Sequence, residues 1–309
     1  MPVKVIYSKE PGPRLFVSAA IHGDEINGVE IIRRLLKILK PQKIRGALIT
    51  VPVVNTHGFL SKRRYLPDRR DLNRSFPGSE KGSMAARIAY LFMQEVVSKC
   101  THGIDLHTAA IHRINLPHIR VCLKDKKARA MAMAFNAPVI LNSDLRDGSL
   151  RQEVLEKKIP MLLYEGGEAL RFNEIAIRAG VNGILSVMQH LGMIVKNIKV
   201  KKSTPYVAQS SQWVRAPESG IFRSRKKLGS RVKKGDSLGV ISDPFGKNEI
   251  KVISPLEGIV VGKTQIPLVD EGEALYNMAT FKKIKSVEEE VIGFQNELSL
   301  NPIYLNNLD

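Results

Sequence analysis

Apolar and polar positions fall into two textures along the chain. Up to about residue 195, short apolar runs alternate with stretches in which apolar residues recur every three or four positions, the two periods that separate strands from amphipathic helices. Val3 to Tyr7 and Leu15 to Ile21 predict strands, and Ile26, Val29, Ile32, Leu35, Leu36 and Leu39 predict a helix that ends at Pro41. A strand is expected at 47–54, then a long polar loop at 55–79, a helix at 83–98 and strands at 103–107 and 119–123. Helical patterns at 126–135, 149–158 and 170–191 alternate with apolar runs at 138–141 and 160–164. Such alternation predicts an α/β domain over 1–195 with a mixed, largely parallel sheet flanked by helices.

Residues 196–210 read as a linker, and from 211 to 282 the pattern changes to short strands punctuated by Gly and Pro. A weak repeat runs through this part: Ala216–Phe222 resembles Ser254–Val260 at an offset of 38, and Lys234–Leu238 echoes Glu271–Leu275 at an offset of 37. Two similar β units predict a small all-β sandwich domain, and this half resembles the biotinyl/lipoyl-type barrel-sandwich. It lacks the Met-Lys-Met hairpin, so a covalent carrier role is not expected. Residues 283–309 read as a C-terminal tail without assigned structure.

Composition excludes several classes. Hydrophobic residues make up 43% of the 309 and charged residues 25%, ordinary globular usage, and no apolar run is long enough to span a membrane. The start of the chain lacks the apolar stretch of a secretory signal, and Cys100 and Cys122 are too few for a disulfide framework, so a cytoplasmic protein with two buried thiols is expected. Charge is less ordinary. Forty-eight Lys and Arg against 30 Asp and Glu leave +18, and half of that excess lies in residues 1–75. An anionic partner follows, either an acidic small molecule or nucleic acid. With one Trp and 6% aromatics there is no stacking platform and no recognised binding motif, which disfavours nucleic acid.

Candidate chemistry concentrates at predicted strand ends, where open α/β sheets hold ligands. His22-Gly23-Asp24-Glu25 puts an imidazole and a carboxylate three residues apart, both usual zinc ligands. His107 ends the strand Gly103–His107 and is the best third ligand, with Asp105 on the same strand face able to hold its ring. Three protein ligands leave a fourth position for water. Glu165, after the run Pro160–Tyr164 and before Gly166-Gly167, is the candidate base, with Glu168 its local rival. In the polar loop, Asn73 and Arg74 suit a substrate carboxylate, and Arg64 suits a developing oxyanion.

Together, His22–Glu25, the run Asp71–Gly78, Asp105–His107 and Tyr164–Gly167 resemble the succinylglutamate desuccinylase/aspartoacylase family of zinc-dependent deacylases, relatives of the zinc carboxypeptidases. The resemblance covers about the first 190 residues, and the C-terminal β part also looks like that of the family. It implies a zinc carboxypeptidase-like catalytic domain and one Zn2+ per chain, held by His22, Glu25 and His107. Glu165 would be the general base, Asn73 and Arg74 the carboxylate clasp, and Arg64 the residue that polarises the scissile carbonyl, with Arg63 or Arg69 as alternatives. The implied reaction is hydrolysis of the amide of a small anionic N-acyl amino acid or similar N-acyl amine. A carboxypeptidase acting on peptides and a basic nucleic-acid-binding protein are the competing readings. Self-association is compatible with either hydrolase.

Overall fold

A computed structural model describes residues 1–41, 44–143, 147–194 and 204–300. The central unit is four parallel strands, β3 (Ala47–Val51), β2 (Arg14–Ala19), β4 (His102–His107) and β7 (Met161–Glu168), in that order. Strand β1 (Lys4–Tyr7) closes one side antiparallel to β3. On the other side β5 (Arg113–Val121) runs antiparallel to β7. Helices α1 (Asn27–Ile38), α4 (Lys126–Phe135) and α6 (Glu174–His190) pack together over one face, and α3 (Met84–Glu95) and α5 (Leu150–Glu156) contribute to the core on the other. Strands covered on both faces are largely apolar, and β2 accordingly reads as a near-continuous apolar run, whereas β4 carries Asp105 and His107. The mixed, largely parallel sheet expected from the sequence is present.

Strand β5 is the branch point of the sheet. Its second half pairs in parallel with β6 (Val139–Asn142), and β6 pairs in turn with β8 (Tyr206–Ala208). Its first half pairs with β14 (Gly258–Thr264), from which the sheet continues through β16 (Ala274–Thr280) to β9 (Ser210–Arg215). One sheet of 12 strands therefore runs from the N-terminal half into the C-terminal half. Part of the expected linker is strand β8, and its residues 196–203 lie outside the described residues.

The sequence repeat is a structural repeat. Strands β10 (Gly220–Ser224), β11 (Arg231–Val232) and β12 (Ser237–Ser242) form one copy, and β14, β15 (Leu268–Val269) and β16 the other. Within each copy the first and third strands pair, while the short middle strand crosses to the other copy: β11 pairs with β14, and β15 with β10. With β13 (Glu249–Ile253), strands β10, β12 and β15 make a second, four-stranded antiparallel sheet. Phe222, Leu238 and Ile241 pack against Val260, Leu275, Tyr276 and Met278 between the two sheets. In the expected tail, Ile284–Leu300 is helix α7, with Val287, Val291 and Leu298 buried, and residues 301–309 lie outside the described residues. Of the two cysteines expected to be buried, Cys100 is, whereas Cys122 is half-buried.

Candidate metal centre and active site

Strand β2 ends in a strained turn. Ala20, fully buried, adopts φ +50°, a left-handed conformation that costs a non-glycine residue about 1 kcal/mol or more. Its carbonyl and that of Ala19 accept from Asn55 and Val54, which holds the turn in place. The next residues, His22 to Glu25, form a tight loop before α1, so Glu25 precedes the helix and does not lie in its first turn. Gly23 is required here by close approach: a Cβ would lie 2.0 Å from the backbone carbon of Gly58. Gly58 sits in α2 (Thr56–Leu60), inside the stretch expected to be loop.

His22, Glu25 and His107 offer ligand atoms that all lie within 4.8 Å of one another, and all three residues are buried. Glu25 bridges the pair, with Oε1 2.7 Å from His22 Nδ1 and Oε2 2.8 Å from His107 Nδ1. Each ring is held from behind by another carboxylate: His22 Nε2 is 3.1 Å from Asp71 Oδ1, and His107 Nε2 is 2.6 Å from Asp105 Oδ2. Asp105 in turn accepts from Ser18 Oγ at 2.7 Å. A proton on each Nε2 serves these rear carboxylates and leaves the Nδ1 lone pairs facing the Glu25 oxygens. Two acceptors at 2.7 Å repel unless positive charge lies between them, as an added proton or a cation. The donor set therefore fits a divalent ion, with each imidazole oriented by an outer carboxylate.

The electrostatics agree. Burial disfavours charge on both imidazoles, yet Glu25 and Asp71 raise His22 above the usual histidine value, and Asp105 and Glu25 raise His107 well above it. Burial likewise favours a protonated Glu25, but the two imidazoles outweigh it and hold the carboxyl far below its usual range.

The triad lines a cavity of about 240 Å³ that also takes in Glu165, Arg64, Asn73 and Arg74, so the sequence-predicted residues converge on one space. Glu165 lies inside β7, not after its end as expected, and is paired in register with His107 on β4. Burial raises its pKa against the pull of Arg120 and His107, so its carboxyl is easier to protonate than an exposed one. The rival Glu168 lies at the end of β7, within 3.9 Å of Arg171, and does not line this cavity. Of the three candidate arginines only Arg64 lines the cavity, where it donates to Glu25 Oε1 at 3.2 Å and Asp71 Oδ2 at 3.1 Å.

Asn73 belongs to a short 3-10 turn, Leu72–Arg74, capped by Asp71. Its Oδ1 accepts from the Leu150 N–H at 3.0 Å, so its Nδ2 is the group left to offer a ligand. Arg74 is exposed, and one guanidinium nitrogen is tied to the Asn73 carbonyl at 2.5 Å.

Among the cavity residues that were not anticipated are Arg113, Asn115 and Arg120 on β5, and Trp213 on β9. Asn115 Nδ2 donates to Glu165 Oε2 at 3.0 Å, and Arg120 Nε lies 3.6 Å from Glu165 Oε1. The Arg113 guanidinium stands over the Trp213 ring at 5.3 Å, a cation–π contact. The outer role of Asp71 was also missed, although it opens the run that carries Asn73 and Arg74.

The chain is 27% identical over 255 residues to the N-alpha-acetyl-L-2,4-diaminobutyric acid deacetylase of Halomonas elongata, over 79% of this chain and 74% of the relative. Its fold matches a succinylglutamate desuccinylase/aspartoacylase structure from Rhodobacter sphaeroides with a TM-score of 0.81 at 25% identity, covering 91% of this chain and 89% of that one. The product-bound ectoine utilization protein EutE of Ruegeria pomeroyi shares the fold with a TM-score of 0.83 at 24% identity, covering 90% of this chain and 88% of that one. The family model for the succinylglutamate desuccinylase/aspartoacylase catalytic domain matches residues 11–191, a span that holds both imidazoles, Glu25 and Glu165, and the chain belongs to that family.

Proposed function

We propose that the protein is a zinc-dependent amidohydrolase that removes the acyl group from an N-acyl amino acid or a similar carboxylate-bearing N-acyl amine. The observation that carries this reading is the convergence of His22, Glu25 and His107 within 4.8 Å, in a cavity that Glu165 also lines. The three residues would hold one Zn2+, which supplies Lewis-acid charge to polarise a carbonyl and to make water more acidic. Glu165 takes the proton of the attacking water and delivers it to the departing amine, which turns a poor leaving group into a neutral one. Arg64 donates to the oxyanion that develops on the carbonyl oxygen. Asn73 Nδ2 and Arg74 hold the substrate carboxylate and fix the amide over the base.

In this reading residues 1–195 are the catalytic domain and 211–282 a barrel-sandwich domain that walls the cavity through Trp213, in a cytoplasmic enzyme. A cavity of about 240 Å³ closed on that side supports a small acylated amino acid over a peptide. The test is a hydrolysis screen of N-acetyl, N-succinyl and N-formyl amino acids, with and without a chelator, alongside elemental analysis of the purified protein. Turnover that vanishes with the chelator and returns with Zn2+, at about one zinc per chain, is expected. Hydrolysis that ignores the chelator refutes the zinc reading, and no turnover with any acyl amino acid refutes the substrate class.

A further inference from the structure

The strand that contacts the Glu165 carboxylate, β5, is itself paired with β14 of the C-terminal half. The Glu165 carboxylate has one hydrogen bond among the described residues, from Asn115 Nδ2 to Oε2 at 3.0 Å. Its other oxygen faces Arg120 Nε at 3.6 Å, beyond hydrogen-bond reach, and that nitrogen has no partner among the described residues. A small rotation of the carboxylate would shorten this ion pair to hydrogen-bond distance and turn the base from its present orientation. Asn115 opposes this, because it holds Oε2 from the first half of β5.

The position of Asn115 has its own condition. It is 9% exposed and paired in register with Gly262 of β14. A Cβ on Gly262 would lie 2.7 Å from Asn115 Oδ1 and 3.3 Å from Asn277 Cβ, so any side chain there would push the amide out of place. Strand β14 departs from regular pairing with β16 between Val260 and Gly262, and β5 departs from regular pairing with β7 between Asn115 and His118. Bulges of this kind re-aim side chains and are common beside active sites.

We propose that Asn115 is a positioning residue for the Glu165 carboxylate, and that the missing side chain at Gly262 on β14 is what leaves room for it. The C-terminal strands thereby act on the reacting centre through one amide, beyond closing the cavity. This rests on the reading of Glu165 as the base.

The experiment is a double-mutant cycle on the zinc-loaded enzyme with the best substrate from the screen. Asn115→Ala and Gly262→Ala should each lower kcat about tenfold or more, with KM within about twofold and zinc content unchanged. The added methyl meets the far end of a flexible side chain, so Gly262→Ala should fold normally by thermal melt. In the Asn115→Ala background the oxygen that the methyl would strike is gone, so Gly262→Ala should cost little more. Asn115→Asp, which keeps the shape but replaces the donor with an acceptor, should lose at least as much as Asn115→Ala.

Wild-type kcat in Asn115→Ala and Asn115→Asp overturns the proposal. So does a Gly262→Ala loss that is equally large with and without Asn115, because the effect would then be structural. If Glu165→Gln is inactive while the Asn115 variants are not, only this proposal fails; if Glu165→Gln retains full turnover, the reading of the base fails and the proposal falls with it.

Discussion

Asp105→Asn tests whether the rear carboxylates set the affinity of the metal site. Asp105 is 1% exposed and uses both oxygens: Oδ2 faces His107 Nε2 at 2.6 Å, and Oδ1 accepts from Ser18 Oγ at 2.7 Å. Asparagine fills the same volume and keeps one acceptor, which can still serve the His107 N–H while its NH2 turns to the Ser18 oxygen. The tautomer survives, so what is lost is the charge behind the ring. A charge-assisted hydrogen bond is about twice as strong as a neutral one, and removing such an outer partner typically weakens metal binding about 10- to 100-fold, or roughly 1.4–2.8 kcal/mol. Competition against a chromogenic chelator at pH 8 reads this directly.

The pH dependence carries a sign. Asp105 and Glu25 raise the pKa of His107 well above its usual value, and a proton on that ring competes with the metal. The substitution weakens the proton as well as the metal, so the deficit should be largest at alkaline pH and shrink as the pH falls. An affinity equal to wild type at pH 8 would refute the reasoning, and so would a deficit that grows toward acid pH.

Three other outcomes are expected. Glu165→Gln should retain zinc by elemental analysis and lose hydrolysis by a factor on the order of 10² to 10⁴, and near-normal turnover would assign the base elsewhere. Gly23→Ala should be destabilised by about 1–3 kcal/mol or more in urea melts and bind zinc poorly, because its methyl would lie 2.0 Å from the Gly58 carbonyl carbon; a variant of wild-type stability would contradict the close approach. Glu30 is held at a pKa of about 2 by its hydrogen bonds to Arg33 and Arg34, below the usual 4.5, so its contribution is present above pH 4.5 and is lost as the pH falls through 2. Glu30→Gln should lower stability by about 1 kcal/mol at pH 7 and by progressively less as the pH drops below 4.5, and a constant difference down to pH 2 would exclude the linkage.

Much of the site was legible because its residues lie where strand periodicity breaks. His22 follows the apolar run of β2, and His107 is the last residue of β4, so position along the sequence places both imidazoles at one edge of a parallel sheet. The two registers then bring β2 beside β4 and β4 beside β7. The candidate base Glu165 was expected after the end of its strand, because Gly166 and Gly167 suggested a turn, whereas β7 continues through them to Glu168. Gly167 sits at φ +80°, where a Cβ would lie 2.2 Å from Asn27 Nδ2, so close packing against the start of α1 is what the glycine serves.

The β5 residues were illegible for a physical reason. The strand was expected only from Ile119, whereas β5 starts at Arg113 and runs through Pro117, a residue that has no N–H to give to a ladder and so masks a central strand. The structure admits Pro117 where β5 and β7 pass out of register, between Asn115 and His118. Arg113 and Asn115 thus belong to a strand whose neighbour on the outer side is β14, some 150 residues later in the chain. Trp213 reaches the same cavity through β16 and β9, by pairings equally remote in sequence. Local periodicity can place a side chain on a face of its own strand, but it carries no information about which distant strand completes the sheet. The candidate metal ligands and candidate base lie on, or just after, adjacent parallel strands of the N-terminal half, whereas Trp213 and the glycine beside Asn115 come from the C-terminal half. Substitutions in the two halves should therefore separate in their effects, the first acting on metal binding and turnover, the second on substrate fit and on the alignment of the base.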